Sequence, residues 1–136
     1  MNTNPCDILI VEDNATDAEP TLRALRRANL ANPVTVVEDG SEALEYPVGA
    51  GKYAGRSDGT APRVVLLDLE LPILSGLEVL RRIRENERTR ELPVVIATSS
   101  RVEAEIEEAY RLGVSSYIVE PVEFAKFVDA MAHVGS

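Results

Sequence analysis

Four clusters of oxygen-bearing side chains stand where apolar runs of this sequence stop. ILIV at 8–11 leads into Glu12 and Asp13, VVLL at 64–67 into Asp68, VVIA at 94–97 into Thr98, Ser99 and Ser100, and the run at 115–119 into Glu120. In an open parallel α/β sheet, functional groups collect at the carboxyl ends of the strands, near the point where strand order reverses. All four clusters then fall on one edge. Glu12, Asp13 and Asp68 form a hard oxygen-donor set that suits Mg²⁺ or Mn²⁺, whereas a chain with one histidine and one cysteine has no zinc set. A carboxylate beside a divalent ion and a strand-end hydroxyl can attack a phosphoryl group, because the ion and the hydroxyl neutralise the incoming oxygens while an acyl phosphate forms. On this chemistry Asp68 is the nucleophile, and Thr98 is the hydroxyl drawn toward the new phosphoryl oxygens. Alone, an Asp at a strand end is more often a turn former or helix cap. Its neighbours give Asp68 its weight.

The elements that must position these groups are legible as an alternation. Residues 7–11, 34–38, 64–68, 94–98 and 115–119 are short runs rich in Val, Ile and Leu with little polar alternation, as expected of strands covered on both faces. Between them lie helical patterns: Leu22, Leu25 and Ala28; Leu77, Leu80, Ile83 and Arg84; Val102, Ile106, Ala109 and Tyr110; and an apolar stripe of Phe124, Phe127, Val128 and Met131. Strand and helix alternating in this way imply right-handed crossovers and a parallel sheet between two helical layers. Thr16 with Glu19 reads as a capping box for the first helix, with Pro20 pushing its start later. Asp39-Gly40 before SEALEY predicts a turn into a short second helix, 47–63 an irregular loop rich in Gly and Pro, and Gly113 a left-handed helix cap.

Composition narrows the class. At 136 residues the chain is one domain long, 1–136, and can bury a core without disulfides. Cys6 is the single cysteine, and a catalytic pairing with the distant His133 has nothing to support it. A net charge of -9 argues against nucleic acid, which needs clustered Lys and Arg. No apolar window reaches the length of a membrane span, and the first residues lack a secretory leader, so cytoplasmic residence is the expectation.

ILIVEDN at 8–14, LLDLELP at 66–72 followed by SGLEVLRRIR, PVVIATSS at 93–100 and GVSSYIVEP at 113–121 resemble the receiver domain of two-component response regulators, over nearly the full chain. The resemblance implies a flavodoxin-like receiver fold: a five-stranded parallel sheet in the order 2-1-3-4-5 with five helices. It implies Asp68 as phosphoacceptor, with Mg²⁺ held by Glu12, Asp13, Asp68 and the backbone carbonyl of Glu70. No other cofactor is implied. Thr98 matches the switch hydroxyl and Tyr117 the aromatic that turns inward with it. The loop at 47–63, with GKYAG inside it, and the absence of an output domain are similar to the stand-alone regulators of bacterial phytochromes. The implied partner is then a sensor histidine kinase, a bacteriophytochrome in this subgroup. Output would be protein contact, by homodimer exchange through the face of the fourth helix, fifth strand and fifth helix, where Tyr110, Tyr117 and Phe127 are candidates that equally suit the core.

One position departs from the family. A lysine normally precedes the proline after the fifth strand and binds the phosphoryl group; here Glu120 stands in its place. At about 5 Å and an effective dielectric near 20, one charge pair is worth roughly 3 kcal/mol, so the reversal is not neutral. Two readings follow: a working receiver signalling by contact, or a pseudo-receiver that acts as a constitutive interaction module. The Glu120-Pro121 bond is a candidate cis peptide. A metal-dependent phosphohydrolase would use the same acids but lacks a second general acid, so the chain is expected not to be an enzyme beyond self-phosphorylation and autodephosphorylation.

Overall fold

The structure, a computed structural model, describes residues 8–27, 34–48, 62–120 and 123–134. Strands β1 (Ile8–Val11), β2 (Val34–Val37), β3 (Val64–Leu67), β4 (Val94–Thr98) and β5 (Ser116–Val119) alternate with helices α1 (Ala15–Arg27), α2 (Gly40–Val48), α3 (Gly76–Glu85), α4 (Glu103–Arg111) and α5 (Phe124–Val134). The strands form one sheet in the order β2-β1-β3-β4-β5, with every pair parallel. Chain order reverses between β1 and β3. The expected topology is therefore the observed one.

Continuous apolar runs mark the strands with neighbours on both sides: every residue of β1, β3 and β4 is buried, while the edge strands β2 and β5 are only partly so. The two-residue period of a strand sends alternate side chains into two cores. Leu9, Val11, Val65, Leu67, Val94 and Ile96 pack with Val79, Leu80 and Ile83 of α3 and Ala109 of α4. Ile8, Ile10, Val64, Leu66 and Val95 pack with Leu25 of α1 and Phe127 of α5. Two apolar layers clamp the sheet.

Several local expectations give way to the structure. The Ala18 N–H donates to the Asn14 carbonyl at 3.1 Å, so α1 opens behind Asn14, before Thr16. Pro20 sits in the second turn and forfeits a single backbone hydrogen bond, too little to delay the helix. Pro47 and Val48 belong to α2, which Asp39 caps by accepting the Glu42 N–H at 2.9 Å. Val102 is the residue before α4 rather than part of its buried stripe, and of that helix only Ala109 is buried. Phe127 is fully enclosed, which removes it from any contact face, whereas Tyr110 and Val128 are exposed. Gly113 has the expected left-handed φ of +82°. Cys6, residues 49–61 of the long loop with Tyr53, and Pro121 lie outside the described residues.

Candidate functional site

Asp68 follows the last residue of β3 directly, and its N–H donates to the Val11 carbonyl at 3.2 Å. The ladder between β1 and β3 thus extends one step and brings the two strand ends level. Glu12, Asp13 and Asp68 then converge, each offering a carboxylate oxygen within 4.8 Å of the others. Glu12 and Asp68 are buried and Asp13 is exposed. The register of β1 and β3 creates this proximity of like charges.

The electrostatic consequence falls on Glu12. Burial first, then the charge of Asp68 and a hydrogen bond with it, then the charge of Glu120, push the Glu12 carboxyl up to about 9, against a weaker opposing hydrogen bond from the Asn14 backbone. At neutral pH Glu12 keeps its proton. Its Oε2 atom is buried without a hydrogen-bond partner, an arrangement that costs free energy unless something else supplies a partner. A divalent cation fits: three carboxylates, one with an orphaned buried oxygen, offer the hard donor set it prefers.

Around the acids, the loops are tied by side chains. The Glu70 N–H donates to Asp68 Oδ1 at 2.9 Å, fixing the carboxylate's orientation. Ser99 Oγ donates to the Glu70 carboxylate, linking the loops after β3 and β4 across the site, and Ser100 Oγ donates to Glu105. Thr98 is fully buried at the end of β4, its Oγ1 3.4 Å from the Ser100 N–H and its carbonyl accepting the Glu120 N–H at 2.7 Å. Tyr117 donates its hydroxyl to the Ser100 carbonyl at 3.0 Å. Burial, joined by the charges of Glu105, Glu70 and Asp68, raises its phenol above the ordinary range. The Ser99–Glu70 bridge had no sequence signal beyond a hydroxyl and an acid at neighbouring strand ends. Gly76 completes the wall. A Cβ there would stand 2.3 Å from the Asp68 carbonyl oxygen and 2.5 Å from Leu69 Cα, so only glycine lets the start of α3 pack against the peptide that carries Asp68.

Residues 8–132 match the family model of the response regulator receiver domain. The chain belongs to that family. This receiver domain is 40% identical over 121 residues to the probable methanogenesis regulatory protein FilR2 of Methanothrix harundinacea, covering 89% of this chain and 76% of that one. Among solved structures, the bacteriophytochrome response regulator RtBRR is similar at 48% identity with a TM-score of 0.85, over 95% of this chain and 77% of the other. The Mn²⁺-bound form of response regulator Rcp1 is similar at 28% identity with a TM-score of 0.77, over 96% and 91%. Receiver domains are signalling domains of two-component systems, which interact with sensor histidine kinases, rather than enzymes in the ordinary sense. Among the described residues, no helix of this one is long and apolar enough to cross a membrane.

Proposed function

We propose that this receiver domain takes a phosphoryl group onto Asp68 from a phosphohistidine of a sensor kinase, a bacteriophytochrome in keeping with its 48% identity to RtBRR. The observation that carries the reading is the convergence of Glu12, Asp13 and Asp68 at the switch point of the sheet, with Thr98 buried at the neighbouring strand end. Glu12, Asp13, Asp68 and the Glu70 carbonyl would hold Mg²⁺ or Mn²⁺, which supplies charge neutralisation for the attacking carboxylate and the transferred oxygens. The protein's own part is orientation and proton control. The Glu70 N–H holds one Asp68 oxygen, and Glu12 would have to give up its proton to serve as a ligand. Thr98 and Tyr117 read the outcome, joined through the Ser100 segment that both contact. The contact face of α4, β5 and α5 contains a groove of about 450 Å³ lined by Arg101, Tyr110, Tyr117, Glu120, Lys126 and Asp129. Its mixture of charges on one self-facing patch suits a twofold homodimer. Incubation with acetyl phosphate and Mg²⁺ should add one phosphoryl group by intact mass, and Asp68→Asn should abolish the adduct with the fold preserved. A stable adduct at another residue of the variant would refute the assignment.

One observation favours the pseudo-receiver as a second reading. Glu120 adds negative charge beside the acids, its charge reaching the buried Glu12 carboxyl. On that reading the contact face is competent without phosphorylation. Glu120→Lys separates the two: phosphorylation-dependent association that appears or strengthens in the variant identifies Glu120 as the element holding the switch. Identical sedimentation of both proteins, with and without beryllofluoride, removes Glu120 from the mechanism.

A further inference from the structure

The loop between β3 and α3 makes a turn that its residues do not favour. The Leu74 N–H donates to the Pro72 carbonyl at 2.6 Å, closing a three-residue γ-turn around Ile73, whose φ is +66°. Such turns are rare and strained, and a β-branched residue is among the least tolerant of positive φ. Of the described residues other than glycine, Ile73 alone has this conformation. Leu71 and Leu74 on either side pack against the core, so the turn is held from both flanks while the Ile73 side chain is fully exposed. Glycine or asparagine would relieve the strain. Strain kept at an exposed apolar residue, five positions after Asp68, points to function rather than stability.

We propose that Ile73 is an apolar docking contact for the phosphohistidine-bearing partner, presented by this strained turn at the rim of the Asp68 site. The inference rests on the reading of Asp68 as phosphoacceptor. Asp68 is 6% exposed at the carboxyl edge of the sheet, so a protein donor must close over that edge to reach it, and the β3–α3 loop forms part of its rim. A small donor needs no such contact. An apolar side chain offered to solvent there gains on covering by a partner, and none of the described residues covers it.

The test compares two donors on wild type, Ile73→Asn, Ile73→Gly and Ile73→Leu: acetyl phosphate, and the autophosphorylated histidine-kinase core of a bacteriophytochrome. Labelling by acetyl phosphate should agree within about twofold across all four, since the reacting groups are untouched. Transfer from the kinase should fall about tenfold for Asn and Gly and persist for Leu, the loss expected from one uncovered apolar contact. The Gly variant should also melt about 3 °C higher as the strain is relieved. Equal kinase transfer in all four proteins overturns the inference, as does a change confined to self-association, which would make a second copy the occupant. If neither donor labels the wild-type chain, the phosphoacceptor reading itself fails and this inference goes with it.

Discussion

The two ends of the sheet are built on opposite terms. At the carboxyl edge, three carboxylates converge, one with a buried oxygen lacking a partner, and a β-branched residue is held at positive φ. At the amino edge, a single cation satisfies four carbonyls. Arg84 donates from Nε to Leu112 at 2.6 Å, from Nη1 to Leu92 at 2.8 Å and Arg90 at 3.0 Å, and from Nη2 to Gly113 at 3.1 Å. Those bonds join the end of α3 to the entry of β4 and the close of α4, and burial lowers the guanidinium from its ordinary value without neutralising it. The satisfied polar groups are concentrated at the edge away from the acids. The reactive edge carries unfavourable charge and strain that the rest of the fold tolerates.

Breaking the stable end should produce the largest change in folding. Arg84→Ala leaves several part-buried carbonyls without a donor and should cost about 3 kcal/mol, given that a hydrogen bond to a charged group contributes about 1.5–3 kcal/mol and that these four are not additive. Urea denaturation measures the loss, while acetyl phosphate labelling of the folded variant should be unchanged. A large fall in labelling with stability intact would show that the two ends are coupled, contrary to the contrast drawn here.

Relieving the reactive end should act in the opposite direction. Glu12 holds its proton to about pH 9 in the folded chain, against an unfolded value near 4.5. The folded state therefore binds the extra proton, and the associated stability is complete below pH 4.5 and is lost as pH rises toward 9. Glu12→Gln removes that loss. Without divalent ions it should match the wild type near pH 4.5 and be the more stable of the two at pH 8. Wild-type affinity for Mg²⁺ should tighten over the same interval, because the ion competes with the proton, and the variant should lose most of that response. Thermal melts at the two pH values, with and without Mg²⁺, separate these effects. Smallest is the N-cap of α3, where Ser75 accepts the Glu78 N–H at 3.2 Å; Ser75→Ala should cost about 1 kcal/mol in denaturation and leave the Mg²⁺ response in place.

The reactive edge was legible because a strand's end is a property of its sequence. VVLLD and ILIVED bring acids to equivalent points, and parallel pairing in register makes those points adjacent. The amino-edge clamp was half legible. Helical spacing placed Arg84 with Leu77, Leu80 and Ile83, but RRIR at 81–84 reads as a solvated basic face, and the carbonyls that Arg84 binds come from segments up to 29 residues away. Partners at that separation carry no periodic signal. The start of α1 was misjudged because a backbone cap at Asn14 needs no diagnostic triplet, and a proline in the second turn removes only one bond. The exposure of Tyr110 depends on how far α4 stands off the sheet, which helical periodicity does not encode.

The missing side chain at Gly76 has a mechanical consequence. Because α3 abuts the Asp68–Leu69 peptide with no room for a methyl group, that side of the acid is an unyielding backstop. On the other side, hydrogen bonds through Ser99, Ser100 and Tyr117 form a seam that can be re-made one bond at a time. If Asp68 takes a phosphoryl group as proposed, the added bulk must displace the softer side, and the direction in which the signal leaves is then set by where a single glycine stands.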